Sequence, residues 1–482
     1  MGINSITRNL TYLLAGRGVY LITRFIYVVI LATVLGPEVY GIINCGIAWY
    51  LLFFPLTSMG MAVVLSRDVG KNRPEGSRTA ALTLTIRILL IVLVTSVYLI
   101  LSFFMEDDPS SRLLLFAFAF ALIGRSISAW TEGVYTAYEI NQYSFRQQSI
   151  FRTMEVLLGI SVLYIWKNPL PVVFIHGIVW CLEAVYGLSV VHRRVSPLRI
   201  IMNYKELQRK FLQGVSLGTA MLLMAFPSQG PLLFFRHLAS ANGSLGQLAL
   251  AMQFFIIFSF IPMALGGVAL PVLSRSMDKN KEKVRLFAET ALRVTLLVGI
   301  VLLFMGTSFG PWLTVQIFGE RYIEAGTLIG RVLCLIIPYS INNAMLGILI
   351  ADRQDGRVLS CTLVGAACFL FIISQAVWMF NAAGAIFAAM SAMTLTAVCL
   401  IIVVYRRVGF DLSSSLVKPG MAVFLSSAAF CILYYICTKA AFPVAIIMLA
   451  ILSYRLRCVT PQDMVLCRQL YTWIAGKFSF GK

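Results

Sequence analysis

Arg17 and Arg24 stand seven residues apart in one apolar stretch. Seven residues of α-helix are about two turns, so both guanidiniums fall on the same face. At about 1.5 Å per residue they lie roughly 15 Å from the start of the stretch and about 18 Å from the Gly36-Pro37 exit, too deep to snorkel easily. An arginine in hydrocarbon costs roughly 2.5 to 3.5 kcal/mol on insertion scales, so each needs a partner charge, a watery cavity or an anion to hold. The pair forms a ladder of positive charge able to hold an anion near the midplane. Alternatively it pairs with Glu132, Glu155 or Glu183 on neighbouring helices.

The spacing of seven recurs at Arg125 and Glu132, which bracket a polar path or satisfy polar groups internally. It recurs again at His176 and Glu183, a pairing that suits a proton relay; otherwise His176 bonds to backbone or a hydroxyl. Glu132, Glu183 and His176 are thus the candidates for ion coupling, with H⁺ or Na⁺ as the ion and no other cofactor. Gln229, Gln253, Asn342 and Asn343 are neutral groups able to bind hydroxyl-rich ligands or to join helices. Arg87 and Arg293 lie about two turns from their helix ends and either snorkel or function. The run Glu106, Asp107, Asp108 reads as a solvated turn rather than a divalent-ion site, and no other metal spacing occurs.

The elements that position these residues follow from composition. The 482 residues are 59% hydrophobic and only 12% charged, about half the charged fraction of a soluble protein, with 39 Lys plus Arg against 20 Asp plus Glu and a net charge of +19. Apolar runs of spanning length recur from residue 8 to residue 457, which predicts an all-α polytopic membrane protein of about fourteen helices. The predicted spans include 8–34, 40–64, 149–166, 325–350, 358–380 and 383–404. The first run, carrying Arg17 and Arg24, reads as a retained helix rather than a cleaved signal. The excess positive charge lies in short gaps, not in one basic run, so nucleic acid is not an expected partner. Sorted by alternate gaps, 28 Lys and Arg fall on one side, Arg152 among them, and 5 on the other. That bias places both termini in the cytoplasm of a multi-pass inner-membrane protein. Most of the ten cysteines sit inside apolar runs and read as small fillers.

Leu122-Ile123-Gly124-Arg125 recurs 206 residues later as Leu328-Ile329-Gly330-Arg331, Leu65-Ser66-Arg67 recurs as Leu273-Ser274-Arg275, and Arg87 matches Arg293. Six helices fit in that offset, so the halves are expected as parallel repeats around a central cavity. The expected organisation is an N-terminal lobe at 1–205, a C-terminal lobe at 206–410 and two further helices at 411–458. A cytoplasmic amphipathic tail follows at 459–482, opened by Thr460-Pro461 as a helix cap. Arg331 repeats Arg125, whereas nothing repeats Arg17 or Arg24, so positive charge concentrates in the first lobe. No P-loop or HExxH motif is present, and the gaps are too short for an enzymatic domain, so a non-enzyme is expected.

Leu35-Gly36-Pro37-Glu38-Val39-Tyr40-Gly41 resembles the "LLGPxxYG" signature of the polysaccharide-export family, the Wzx-like O-antigen flippases of the multidrug/oligosaccharidyl-lipid/polysaccharide exporter superfamily. Gly60-Met61-Ala62, Leu65 to Arg67, Tyr138 to Phe145, Leu273 to Arg275 and Gly330 to Arg353 add to the likeness. The resemblance implies alternating-access translocation of an undecaprenyl-diphosphate-linked oligosaccharide for surface polysaccharide biosynthesis. It implies membrane lipid, the polyprenyl-diphosphate-linked glycan, and the pathway's glycan polymerase and glycosyltransferases as partners. Arg17 and Arg24 match arginines of the first helix in related lipid II flippases, and with Arg125 and Arg331 they are the expected diphosphate ligands. A drug or organic-cation antiporter of the same superfamily is the alternative.

Overall fold

The computed structural model describes residues 3–71, 73–239, 242–277, 281–436 and 438–458. The expected tail, with Thr460, lies outside them, as do the side chains of Ser274 and Arg275. Among the described residues there is no strand, and ten helical stretches are long and apolar enough to cross a membrane. The chain is therefore a multi-pass all-α membrane protein.

The helices are α1 (Ile3–Ser58), α2 (Met61–Lys71), α3 (Gly76–Met105), α4 (Pro109–Ala137), α5 (Gln142–Trp166), α6 (Pro169–Arg194) and α7 (Tyr204–Leu238). There follow α8 (Asn242–Ser276), α9 (Lys281–Phe318), α10 (Ile323–Cys334), α11 (Ile336–Ala351), α12 (Asp355–Val408), α13 (Lys418–Ile436) and α14 (Thr438–Arg455). They cluster into two compact units. One comprises 1–253, 313–325 and 354–396; the other comprises 254–312, 326–353 and 397–482.

At 56 residues, α1 would extend about 84 Å if straight, against a hydrocarbon core of about 30 Å, so it has to break. Gly36 supplies the break with φ 75° and ψ 171°, a conformation only glycine adopts freely, and Pro37 then removes a backbone donor. The 54-residue α12 breaks in the same way at Asn381, φ 49°. Two expected boundaries move. The helix expected to run to residue 64 ends at Ser58, because Met59 and Gly60 both take positive φ. The single helix expected at 325–350 is two, α10 and α11, parted at Leu335.

In the first unit α4 and α6 begin alike, each with a proline in the first turn and a side-chain cap. Asp108 accepts from the Ser111 amide at 2.8 Å and Asn168 from the Leu170 amide at 2.9 Å. Those hydrogen bonds from Ser111 hold the Asp108 carboxyl below its ordinary range. The two helices then close onto each other at Gly124, where an added Cβ would meet the Trp180 and Cys181 backbone. In the second unit Phe304 of α9 stacks on Phe430 of α13, ring centroids 4.5 Å apart, in a core completed by Ala441, Ala445 and Leu449 of α14. Large apolar side chains such as Phe371, Trp378 and Tyr435 are almost fully exposed, as lipid-facing helices require.

Candidate functional site

Among the described residues, Arg17 and Arg24 find their hydrogen-bond and ion-pair partners within the first unit. Arg24 of α1 donates from Nε (3.3 Å) and Nη2 (2.9 Å) to one atom, Gln253 Oε1 of α8, and from Nη1 to the Tyr20 hydroxyl at 3.3 Å. Gln253 Nε2 donates in turn to Asn44 Oδ1 at 2.7 Å, and Asn44 Nδ2 to the Tyr40 carbonyl at 2.8 Å. Among the described residues the hydrogen-bond partners of Arg24 are therefore neutral. Arg17, two turns earlier, lies 3.9 Å from Glu132 of α4, with both side chains partly exposed. Glu132 is the better held of the two, because Gln148 Nε2 donates to it at 2.6 Å.

A second, continuous polar network crosses α1, α4, α5 and α6. Arg125 Nη1 donates to the Tyr50 hydroxyl at 3.2 Å, and its guanidinium lies over the rings of Trp180 (5.0 Å), Phe54 (5.3 Å) and Tyr50 (5.9 Å). The Tyr50 hydroxyl lies 3.2 Å from His176 Nε2, and His176 Nδ1 lies 2.6 Å from Glu155 Oε1. Arg152 then pairs with Glu155 through Nη1 and with Glu183 through Nη2, its guanidinium centred 3.7 Å over Trp180. Ser128 (2.7 Å) and Gln147 (3.1 Å) donate to the remaining oxygen of Glu183.

Charge differs sharply between the two ends of this network. Arg152, Glu155 and Glu183 are buried and satisfy one another, as buried charges must. Arg24 and Arg125 are half-buried cations whose hydrogen-bond partners are neutral. His176 and Glu183, expected to pair along α6, are instead joined through contacts with Glu155 and Arg152 of α5. Glu132 faces Arg17 and Gln148, not Arg125.

Other expected residues stand on other helices. Arg331 is exposed on α10 and belongs to the second unit, as do Asn342, buried on α11, and Asn343, whose amide bonds the Tyr339 carbonyl at 2.8 Å. Gln229 is half-buried on α7 of the first unit. Arg152, counted from sequence as a cytoplasmic loop charge, is instead 4% exposed inside α5, which starts seven residues before the expected span. Arg87 does not snorkel: it is 1% exposed and donates to the Ser126 carbonyl at 3.1 Å and Ser58 Oγ at 3.0 Å. Arg293, equally buried, sits 3.7 Å from Glu289. Glu106 is no solvated turn residue; it pairs with Arg236 at 2.8 Å. Sequence reasoning also missed Tyr20, Tyr50, Gln147 and Trp180, whose only signal was a polar or aromatic group in an apolar helix. Among the described residues no group of His, Cys, Asp and Glu is set to hold a metal ion.

The family model described as "Polysaccharide biosynthesis protein" matches residues 6–277, more than half of the chain and all of the residues just placed in the first-unit network. No curated protein sequence matches the chain. Among solved structures it is similar to the lipid II flippase MurJ in an inward closed conformation, at 11% identity and TM-score 0.67, over 92% of this chain and 99% of that one. It is also similar to an inward-facing multidrug resistance MATE family transporter of the MOP superfamily, at 12% identity and TM-score 0.62, over 82% and 98% of the two chains. A MOP superfamily transporter from Pyrococcus furiosus matches at 13% identity and TM-score 0.62, over 84% and 95%. At such identities the likeness is one of fold.

Proposed function

Because the chain belongs to the polysaccharide biosynthesis protein family, we propose that it is a flippase moving an undecaprenyl-diphosphate-linked oligosaccharide across the cytoplasmic membrane by alternating access. The single observation that carries this reading is the pair Arg24 and Arg125, two guanidiniums on spanning helices whose hydrogen-bond partners are neutral. A lone cation there is costly, and a diphosphate offers it paired anionic oxygens at the right charge. Arg17, only loosely tied to Glu132, adds a third donor. Arg331 on the second unit is a candidate contact at another stage of the cycle, with Gln229, Asn342 and Asn343 as candidate sugar contacts. The reading requires no covalent chemistry, uses H⁺ or Na⁺ as coupling ion, and expects the glycosyltransferases and polymerase of the same pathway as partners.

The MATE fold likeness fits an organic-cation antiporter equally well. Charge decides between them: a cation site needs a free carboxylate, whereas Glu132, Glu155 and Glu183 are each engaged by an arginine, and Arg24 and Arg125 repel cations.

Complementation of a flippase-deficient, glycan-negative bacterial strain tests the proposal, with wild type, Arg24→Ala, Arg125→Ala and the double variant at matched membrane levels. Surface glycan restored by wild type and lost in the double variant is the expected result. Glycan retained in the double variant overturns the site, and drug efflux in place of glycan export overturns the function.

A further inference from the structure

We infer that Gln253 is the residue that sets the charge selectivity of the Arg24 site, acting as a positioning residue rather than as a sugar contact. The inference rests on the diphosphate reading of that site.

The sense of the amide relay is fixed from its far end. The Tyr40 carbonyl can only accept, so Asn44 must turn Nδ2 towards it and Oδ1 towards Gln253. Gln253 must then answer with Nε2, which leaves Oε1 facing Arg24. One neutral oxygen therefore receives both N–H groups along the Nε–Nη2 edge of the guanidinium. Gln253 is 4% exposed with both ends of its amide engaged, so it has little surface to offer a ligand.

Of the five N–H groups of Arg24, one on Nε and one on Nη2 go to Gln253 and one on Nη1 goes to Tyr20. One N–H on each Nη remains, two donors for a bidentate anion. The amide orients the guanidinium without neutralising it. A carboxylate of the same shape would make the same two contacts and cancel the charge, turning an anion site into a closed ion pair. The neutrality of this one side chain thus separates an anion-selective site from an indifferent one.

The test uses the full chain in lipid nanodiscs with inorganic pyrophosphate as probe, at low and at physiological salt. The variants are Gln253→Glu, Gln253→Met, Arg24→Gln and the double variant Arg24→Gln/Gln253→Glu, and thermal unfolding reports on folding. Gln253→Glu is expected to weaken binding by about tenfold or more and to flatten its salt dependence, while Gln253→Met, which keeps the charge and loses only orientation, weakens it by about threefold. In the Arg24→Gln background, Gln253→Glu is expected to cost nothing further, because Gln253 acts through Arg24. A folded Gln253→Glu that binds like wild type, or one that loses as much without Arg24 as with it, overturns the inference alone. A wild type that does not bind pyrophosphate overturns the diphosphate reading and the inference together. If Gln253→Glu fails to fold, Asn44→Ala carries the test: it frees the amide to turn, and about threefold weaker binding is expected only where Arg24 is present. Equal binding by Asn44→Ala and wild type overturns the inference.

Discussion

His176 and Glu155 face each other from α6 and α5 with Nδ1 and Oε1 2.6 Å apart. With Nδ1–H donating to Glu155, Nε2 accepts from the Tyr50 hydroxyl, whose oxygen accepts from Arg125. The Tyr50 hydroxyl thus ties the Arg125 guanidinium to His176 and, through His176, to Glu155. Tyr50→Phe, which removes the hydroxyl between His176 and Arg125, is therefore expected to weaken pyrophosphate binding about threefold, because Arg125 loses the oxygen that orients it. His176→Leu, which takes away the acceptor of the Tyr50 hydroxyl, should weaken binding in the same direction and cost nothing further in a Tyr50→Phe background. Pyrophosphate affinity unchanged in both variants would show that the link through Tyr50 does not position Arg125.

Arg152 is the counter-charge to two buried carboxylates. Arg152→Met leaves Glu155 and Glu183 facing each other without it, and removing one member of a buried ion network costs about 3 to 5 kcal/mol. The thermal unfolding midpoint of the purified chain should fall clearly, whereas Arg146→Met, on the exposed side of the same helix, should barely move it. Equal midpoints would mean that the network contributes little.

How much of this was legible follows residue by residue. Arg17 and Arg24 were found because a charge amid apolar residues is costly and rare, and the fold because apolar runs of spanning length repeat through the chain. Arg152 was missed because it stands near an apparent helix end, and the positive-inside count absorbed it. The earlier start of α5 at Gln142 moves it from the first turn of the expected span to well inside the helix, three residues before Glu155. The break after Gly36 was announced by Gly-Pro, and the break at Asn381 falls in the gap expected between 358–380 and 383–404, although no Gly-Pro marks it. Gln253 was visible as a polar residue, but its role depends on a neighbour 229 positions away, and that distance no spacing rule reaches.

Glu132 competes with any anion for Arg17. The pair is partly exposed and 3.9 Å apart, so its attraction is worth about 0.2 to 1 kcal/mol. Glu132→Gln removes the competing charge and should raise pyrophosphate affinity about twofold to fivefold at low salt, less at high salt. In an Arg17→Ala background the gain should vanish. Weaker binding by Glu132→Gln would place this carboxylate on the ligand's side of the site.

Gly124 joins the fold to the site. An added Cβ there meets the backbone of Trp180 and Cys181, which cannot swing aside as a flexible side chain does, so α4 and α6 must part. Overpacking of this kind costs about 1 to 3 kcal/mol. Its effect reaches further than stability, because the displaced Trp180 is the ring under both Arg125 and Arg152. Gly124→Ala is therefore expected to lower the unfolding midpoint and to reduce glycan export beyond what the loss of folded protein explains. Gly70→Ala on α2, where nothing lies within 4 Å of the new Cβ, should leave export unchanged and stabilise the helix by up to about 1 kcal/mol. Export by Gly124→Ala that tracks only the amount of folded protein would show that the position of Trp180 does not matter to the site.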